Sequence, residues 1–297
     1  MRPSPAFSLL FSICLAWQTC PAQEPAVELR LHWEPGQFYL QETDTDTTTF
    51  LTALGQKHDQ KLRMRQTTSI KVKPGPAGGS EARVTIDSLK GEMVHDGLLL
   101  PFDADKMEDA HPMLQKAVGR ASGKSFTLVY DAADQFQDVQ DIGSMVRGGT
   151  TPDLGSIADA KQVALLFRRS LEMGLPRIPV RPGDKWLSEE NISFAEAGQV
   201  KVRLNAKFEE FTTRETRRHA KISFAGGMES QADEKTRKAL VTVGKDSQIT
   251  GHVFFDLERR TVSLSVLLAV VNLEVEGKKL PVRQQVTTRL VAMKTIK

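Results

Sequence analysis

The stretch I-P-V-R-P-G-D-K-W, Ile178 to Trp186, is echoed earlier by W-E-P-G-Q-F-Y, Trp33 to Tyr39. Both set an aromatic residue beside a Pro-Gly turn, and both open a long region of strand-like segments. After the first, Lys61 to Lys73 alternates through Leu62, Met64, Ile70 and Val72, and Ala82 to Leu89 through Val84 and Ile86. After the second, Val200, Val202 and Leu204 alternate with Lys201, Arg203 and Asn205. Ala220, Ile222 and Phe224 alternate with Lys221 and Ser223. A period of two marks half-buried strands. Each half then reaches an aromatic-Asp hairpin, Y-D-A-A-D-Q-F at Tyr130 to Phe136 and F-D-L-E-R-R-T at Phe255 to Thr261. The order predicts an internal duplication in a mainly β chain.

The remaining segments fit that frame. Asp96-Gly97 between apolar runs predicts a tight hairpin, and Val27 to Tyr39 alternates up to its Pro-Gly turn. Thr43 to Thr49, T-D-T-D-T-T-T, reads as an exposed strand or a loop. Gly251 to Leu257, Val262 to Val275 and Val282 to Ala292 supply the last strands. Asp109 to Val118 reads as a short helix with Pro112 in its first turn. Ser156 to Met173 reads as the longer helix: Ser156 and Asp159 resemble a capping box, and Ile157, Ala160, Val163, Ala164, Phe167 and Leu171 share one face. The Gly- and Thr-rich stretch from Gly143 to Gly155 is the candidate linker. The fold class expected is α+β, mainly β. Its parts are curved antiparallel sheets in two similar halves, one longer helix at about 156–173 and one short helix at about 109–118. The expected division is a signal peptide at 1–22, a first β-rich half at 23–150, a connecting helix at 151–177 and a second half at 178–297.

The first residues read as an export signal. Arg2 precedes the apolar run Ala6 to Trp17, and Cys20-Pro21-Ala22 offers small residues for cleavage after Ala22. Cleavage would remove both cysteines, Cys14 and Cys20, leaving no disulfide and no thiolate ligand. A lipid-anchor signal resembles Leu-x-x-Cys with Gly, Ala or Ser just before the Cys. Trp17-Gln18-Thr19-Cys20 departs at both positions, which argues against a lipoprotein. The formal net charge of +3 falls by one with Arg2, so nothing commits the chain to nucleic acid or to an anionic membrane. The expected address is periplasmic or extracellular, with no transmembrane segment in the mature chain.

The Ile178 to Trp186 stretch, the G-K-S-F-T-L-V-Y-D run from Gly123 to Asp131 and the short helix at His111 to Val118 together resemble an uncharacterised family of secreted bacterial proteins, catalogued as a domain of unknown function. The chain departs from that family at one turn, where Asp131-Ala132-Ala133-Asp134 stands for the usual Asp-x-x-Gly. The resemblance implies a bacterial envelope protein and carries no activity or site residues. At the level of shape the chain also resembles the periplasmic lipoprotein carriers, whose curved sheet is closed by helices around an apolar cavity.

Motifs that carry chemistry are sparse. Gly119 to Ser125, G-R-A-S-G-K-S, has three residues between its glycines where a phosphate loop needs four. Asp131, Asp134, Asp138 and Asp141 lack calcium-loop spacing. The six histidines show no metal-ligand spacing, and Ser144 and Ser156 sit in only half of a nucleophile-elbow pattern. Glu189-Glu190 and Glu209-Glu210 are adjacent, so a strand sends the members of each pair to opposite faces. Arg214, Arg217 and Arg218 lack the interleaved aromatics of a nucleic-acid site. No catalytic residue, metal ligand or cofactor is therefore predicted, and no nucleic-acid partner.

The most apolar stretch after the signal is L-S-V-L-L-A-V-V-N-L-E-V, Leu264 to Val275. It is either a central strand buried on both faces or one facing an apolar cavity. The candidate ligand-binding residues are Trp33, Trp186, Val266, Leu268 and Val270, with the last three expected on an inner sheet face around empty volume. The expected function is a non-catalytic secreted binding or structural protein. Its partner would be an apolar small molecule held in a β cavity, or another envelope protein. The alternative is a hydrolase with a site dispersed over loops, betrayed by a cleft in which ionisable groups converge, such as a His beside an Asp.

Overall fold

The computed structural model describes residues 24–118, 122–142, 160–194, 198–231 and 241–296. The expected signal peptide, the 143–155 linker, the helix cap at Ser156 and part of the 119–125 segment lie outside the described residues. The chain order is β1 (Gln37–Thr49), β2 (Gln60–Pro74), β3 (Ser80–His95), β4 (Leu98–Asp103), α1 (Pro112–Val118), β5 (Ser125–Tyr130) and β6 (Phe136–Gln140). It continues with α2 (Ala160–Glu172), β7 (Lys185–Phe194), β8 (Gly198–Arg214), β9 (Arg217–Ser230), β10 (Val241–Val243), β11 (Ser247–Asp256), β12 (Thr261–Val275) and β13 (Lys278–Thr295).

All the strands join one curved antiparallel sheet in the order β6-β5-β3-β2-β1-β13-β12-β11-β9-β8-β7. β4 pairs with β3, and β10 pairs with β12. One sheet, not two, thus holds both halves. It is a meander whose first and last strands, β1 and β13, pair at the centre over Gln37–Thr49 and Val282–Thr295. The two outer strands, β6 and β7, are left unpaired with each other. T-D-T-D-T-T-T belongs to β1, so it is a central strand and not a loop.

The sheet rolls toward its core-bearing face, and α2 closes the gap between its ends. On one side Phe167 packs edge-on to Phe126 of β5 at 5.6 Å, Arg168 lies over the Phe136 ring of β6, and Lys161 pairs with Asp138. On the other side Arg169 pairs with Glu190 of β7 at 3.1 Å. An extended strap, residues 24–33, crosses the same seam. It makes a single bridge, Val27 to Val180, and not the strand that its alternation predicts. It turns Leu29, Leu31 and Trp33 into the core.

The main core runs from Ile70, Val84, Phe126 and Leu128 across to Phe208, Ile222 and Phe255. A second, smaller cluster lies on the same face at the far end of the first half. There Leu89, Met93 and Phe102 pack with Leu114 of α1. The helix expected from Asp109 begins at Pro112, preceded by a short 3-10 turn at Met107–Asp109. Two glycines let rings lie flat on the strands. A Cβ on Gly91 would come within 2.9 Å of Phe102 Cζ, and one on Gly251 within 2.4 Å of Phe224 Cζ. The Asp96-Gly97 turn has φ of 50° and 77°, as a tight hairpin of this kind requires.

Candidate functional site

Residues directly opposite across an antiparallel pair share a face, so the register sorts every side chain of the sheet. One inner-face row crosses the middle of the roll as Met64, Thr45, Val286 and Leu267. It runs on to Gly91 with Phe102 at one end and to Gly251 with Phe224 at the other. The adjacent row reads Leu62, Thr47, Gln284 and Ala269. These rows form a trough between the two hydrophobic clusters. Leu62, Met64, Val286 and Leu267 are half-buried, Thr45 and Ala269 are buried, and Val286 belongs to neither cluster. Thr43 and Thr288 share a hydroxyl–hydroxyl hydrogen bond of 3.0 Å, and Gln284 donates to Thr47 at 3.3 Å.

The outer face of the same strands is charged. Asp44 accepts from Arg65 at 2.6 Å and from Arg289 at 2.8 Å. Arg63 bridges Asp46 and Glu92, and Lys90 pairs with Asp103. An open groove of about 500 Å³ runs over this ladder, with Asp44, Asp46, Glu92, Arg63, Arg65 and Lys90 along it. Asp44, Asp46 and Glu92 are taken up by Arg63, Arg65 and Arg289, and Lys90 is taken up by Asp103 beside the groove, so each of the six charged groups along it has a partner.

The structure does not bring the five predicted ligand residues together. Trp33 is 2% exposed and sits in the main core, edge-on to Tyr39 at 5.2 Å and tilted against Tyr130 at 6.2 Å. Trp186 faces inward opposite Ala206, half-buried at the seam. Val266, Leu268 and Val270 lie on the outer face, not on the inner face where they were expected. Leu268 is 40% and Val270 44% exposed. Their odd-numbered neighbours Leu267, Ala269 and Val271 turn inward instead. With Leu264 the three make a narrow apolar column on the outer face. Sequence reasoning missed the trough residues Thr45, Thr47, Gln284 and Val286. The Thr-Asp alternation of β1 was the signal that could have found them.

Three His–Asp pairs occur among the described residues. His95 Nε2 stands 3.6 Å from its chain neighbour Asp96 at the exposed β3–β4 turn. His32 Nδ1 stands 2.7 Å from Asp134, which also receives Arg260, so this pair fastens the strap between two hairpins. His219 Nε2 stands 3.7 Å from Asp256, and both are buried. Asp256 accepts from the backbone N–H groups of Glu258 and Arg259 and from Arg217 Nε, so its role is to hold the β11–β12 turn. Asp131 does the same at the β5–β6 turn through the N–H groups of Ala133 and Gln135. The remaining acids of that run are separately engaged, Asp138 by Lys161 and Asp141 by Thr127. The arginine cluster is engaged too. Arg214 lies over Phe254, and Arg218 lies over Phe211 and pairs with Glu24. Burial pushes the Glu172 carboxyl up, against the pull of Arg168 beside it, and pushes Tyr39 up to about 12. Among the described residues no group of three or more His, Cys, Asp or Glu could hold a metal ion, and no helix is long and apolar enough to cross a membrane.

No family model and no curated protein matches the chain. Solved structures do. Over 90% of its length the chain is similar to a structure of lipovitellin described for its lipid–protein interactions, at 9% identity and a TM-score of 0.51. It spans about a quarter of that protein, 26% of the chain. It also aligns with a Bacteroides fragilis protein described as exported and of YmcC-like fold, at 11% identity and a TM-score of 0.32, covering 91% of this chain and all of that one. A Parabacteroides distasonis protein described as a lipoprotein aligns at 8% identity and 0.31, with the same coverage. The lipovitellin match makes this a rolled antiparallel sheet of a known shape. At such identity the likeness is one of fold alone.

Proposed function

We propose that the chain is an exported, non-catalytic binding protein whose inner trough takes an apolar ligand. The observation that carries this reading is the row Met64, Thr45, Val286 and Leu267, four uncharged residues that bridge two hydrophobic clusters. A mostly apolar concavity with a few hydrogen-bonding groups is the usual form of a small-molecule site. The shape shared with lipovitellin, a structure described for its lipid interactions, supports the same reading. In this proposal the signal is removed after Ala22, the first β-rich half spans 23–150, the connecting helix 151–177 and the second half 178–297. The outer column Leu264, Val266, Leu268 and Val270 supports a second partner class, another envelope protein, because half-exposed apolar side chains in one row suit a contact surface.

Native mass spectrometry of the exported chain, purified without detergent, tests the first reading. An added mass that organic extraction removes is the expected result. A bare chain, together with no uptake of an apolar dye, would overturn it.

A further inference from the structure

The trough differs from the rest of the molecule in one respect that bears on its ligand. Of the whole sequence, 26% is Asp, Glu, Lys or Arg. Along the inner face of the four central strands, over the length of β1, there is none; Lys278, on the same side, lies beyond it, exposed at the start of β13. β1 presents Gln41, Thr43, Thr45 and Thr47, and β2 presents Leu62, Met64, Gln66 and Thr68. β13 presents Val282, Gln284, Val286 and Thr288, and β12 presents Ser265, Leu267, Ala269 and Val271. The same four strands place Glu42, Asp44, Arg63, Arg65, Arg283 and Arg289 on the other face. The polar groups inside are hydroxyls and carboxamides interleaved with aliphatic side chains. One of them is unspent: Gln41 is 3% exposed, and its Oε1 has no hydrogen-bond partner. A buried carbonyl oxygen in that state favours a donor brought by the ligand.

Resting on the reading that the trough binds a ligand, we propose that this ligand is an uncharged amphiphile: an aliphatic chain bearing hydroxyl, ester or amide groups, of the acylglycerol kind. Its chain would lie along Met64, Val286 and Leu267. Its hydroxyls would donate to Gln41 and exchange hydrogen bonds with the threonines. A fatty acid or an anionic phospholipid would fit worse, because a carboxylate or phosphate beside Met64, Val286 and Leu267 meets no cation on the strands that floor the trough and cannot donate to Gln41 Oε1. Burying an unpaired charge is strongly unfavourable, whereas a neutral polar group is accommodated once it is hydrogen-bonded.

The test compares two probes with the same acyl chain, monooleoylglycerol and oleate, by titration calorimetry against the exported chain below micelle-forming concentrations. The expected result is binding of monooleoylglycerol at least about tenfold tighter than oleate. Gln284→Lys, which places a cation in the trough, should narrow or reverse that ratio by raising oleate affinity. Its folding is verified by circular dichroism, and the wild-type ratio stands without it. Oleate binding as tight as or tighter than monooleoylglycerol would overturn the assignment of ligand class and leave the trough as a binding site. Binding of neither probe, with no co-purified mass, would overturn the binding reading itself.

Discussion

Asp256 is the residue whose removal should be felt most for its size. It is fully buried, and one of its oxygens accepts both turn N–H groups, from Glu258 and Arg259, at 3.0 Å. The other accepts Arg217 Nε at 2.8 Å, with buried His219 beside it. Asp256→Ala strips a largely buried guanidinium of its buried partner, leaving it only the exposed Glu215, and strands two backbone donors at once. Breaking a buried ion pair by deleting one partner costs about 3–5 kcal/mol. Asp131 is the internal control. It holds the matching turn through two N–H groups at 2.9 Å, but from an exposed site and with Gln137 as its side-chain partner. Water replaces what Asp131→Ala removes, and the cost should be about 1 kcal/mol. Urea unfolding followed by tryptophan fluorescence gives both values on one scale, since Trp33 and Trp186 lie in the two halves. Equal losses for the two variants, or less than about 1 kcal/mol for Asp256→Ala, would refute the claim that burial separates two otherwise similar turns.

Three further outcomes are expected. The chain has two tyrosines, Tyr39 and Tyr130, both buried, and burial raises the phenol pKa of each, that of Tyr39 to about 12. A raised folded-state value means the folded chain favours the neutral phenol. The Tyr39 contribution is therefore complete below pH about 10, and about 3 kcal/mol is lost as the pH climbs from there toward about 12. Tyrosinate absorbance should stay silent to well above pH 10 and then appear together with unfolding, and an ordinary titration near 10 in folded protein would contradict the packing. Face assignment in β12 predicts that Leu268→Glu changes stability by no more than about 0.5 kcal/mol, while Ala269→Glu, 4% exposed at present, costs several or prevents folding, as thermal denaturation would register. Gly251→Ala should cost about 1–3 kcal/mol by the same measurement, because its Cβ would sit 2.4 Å from both Phe224 Cζ and the Val266 carbonyl oxygen.

The strands were legible because period-two alternation survives in a single sequence: Lys61 to Lys73 and Val200 to Asn205 became β2 and β8. The two Asp-held hairpins were legible for a local reason too, since each carboxylate bonds N–H groups two to four residues on. The face of β12 was not legible. In L-S-V-L-L-A-V-V both parities are apolar, so alternation cannot say which set turns inward, and a slip of one residue reverses the answer. What decides it is non-local. The register against β11 shifts at Phe254/Phe255, and the pairing with β13 sets Leu267 opposite Val286. The trough was half visible in T-D-T-D-T-T-T, where every Thr at 43, 45 and 47 turns inward and Asp44 and Asp46 turn outward. That run carries no large apolar residue, the usual mark of a central strand. The seam was invisible, because the pairing of α2 with both β6 and β7 depends on the curvature of the sheet between them.

That curvature and the strand order together say when the trough forms. Thr45 and Val286, neighbours on its floor, come from the first and last strands of the chain. Every other neighbour contact along the meander can form between strands close in sequence, whereas β1 with β13 closes nearly the full length of the chain. Long closures are entropically the most expensive and the slowest to form. Each half can therefore assemble its own hairpins, with Phe126 and Leu128 in one and Phe208 and Phe255 in the other, before the central pair unites them. Until it does, β1 presents an unpaired edge of thirteen residues, its threonines toward the future trough and its acids outward. The alternating Asp44 and Asp46 serve that interval as well as the finished sheet. Charged side chains along an open edge oppose strand addition between chains; Arg63 and Arg65 of β2 flank these acids on the paired side, and Arg289 joins Asp44 once β13 arrives. One alternation thus gives the trough its neutral floor and guards the strand that must wait longest for its partner.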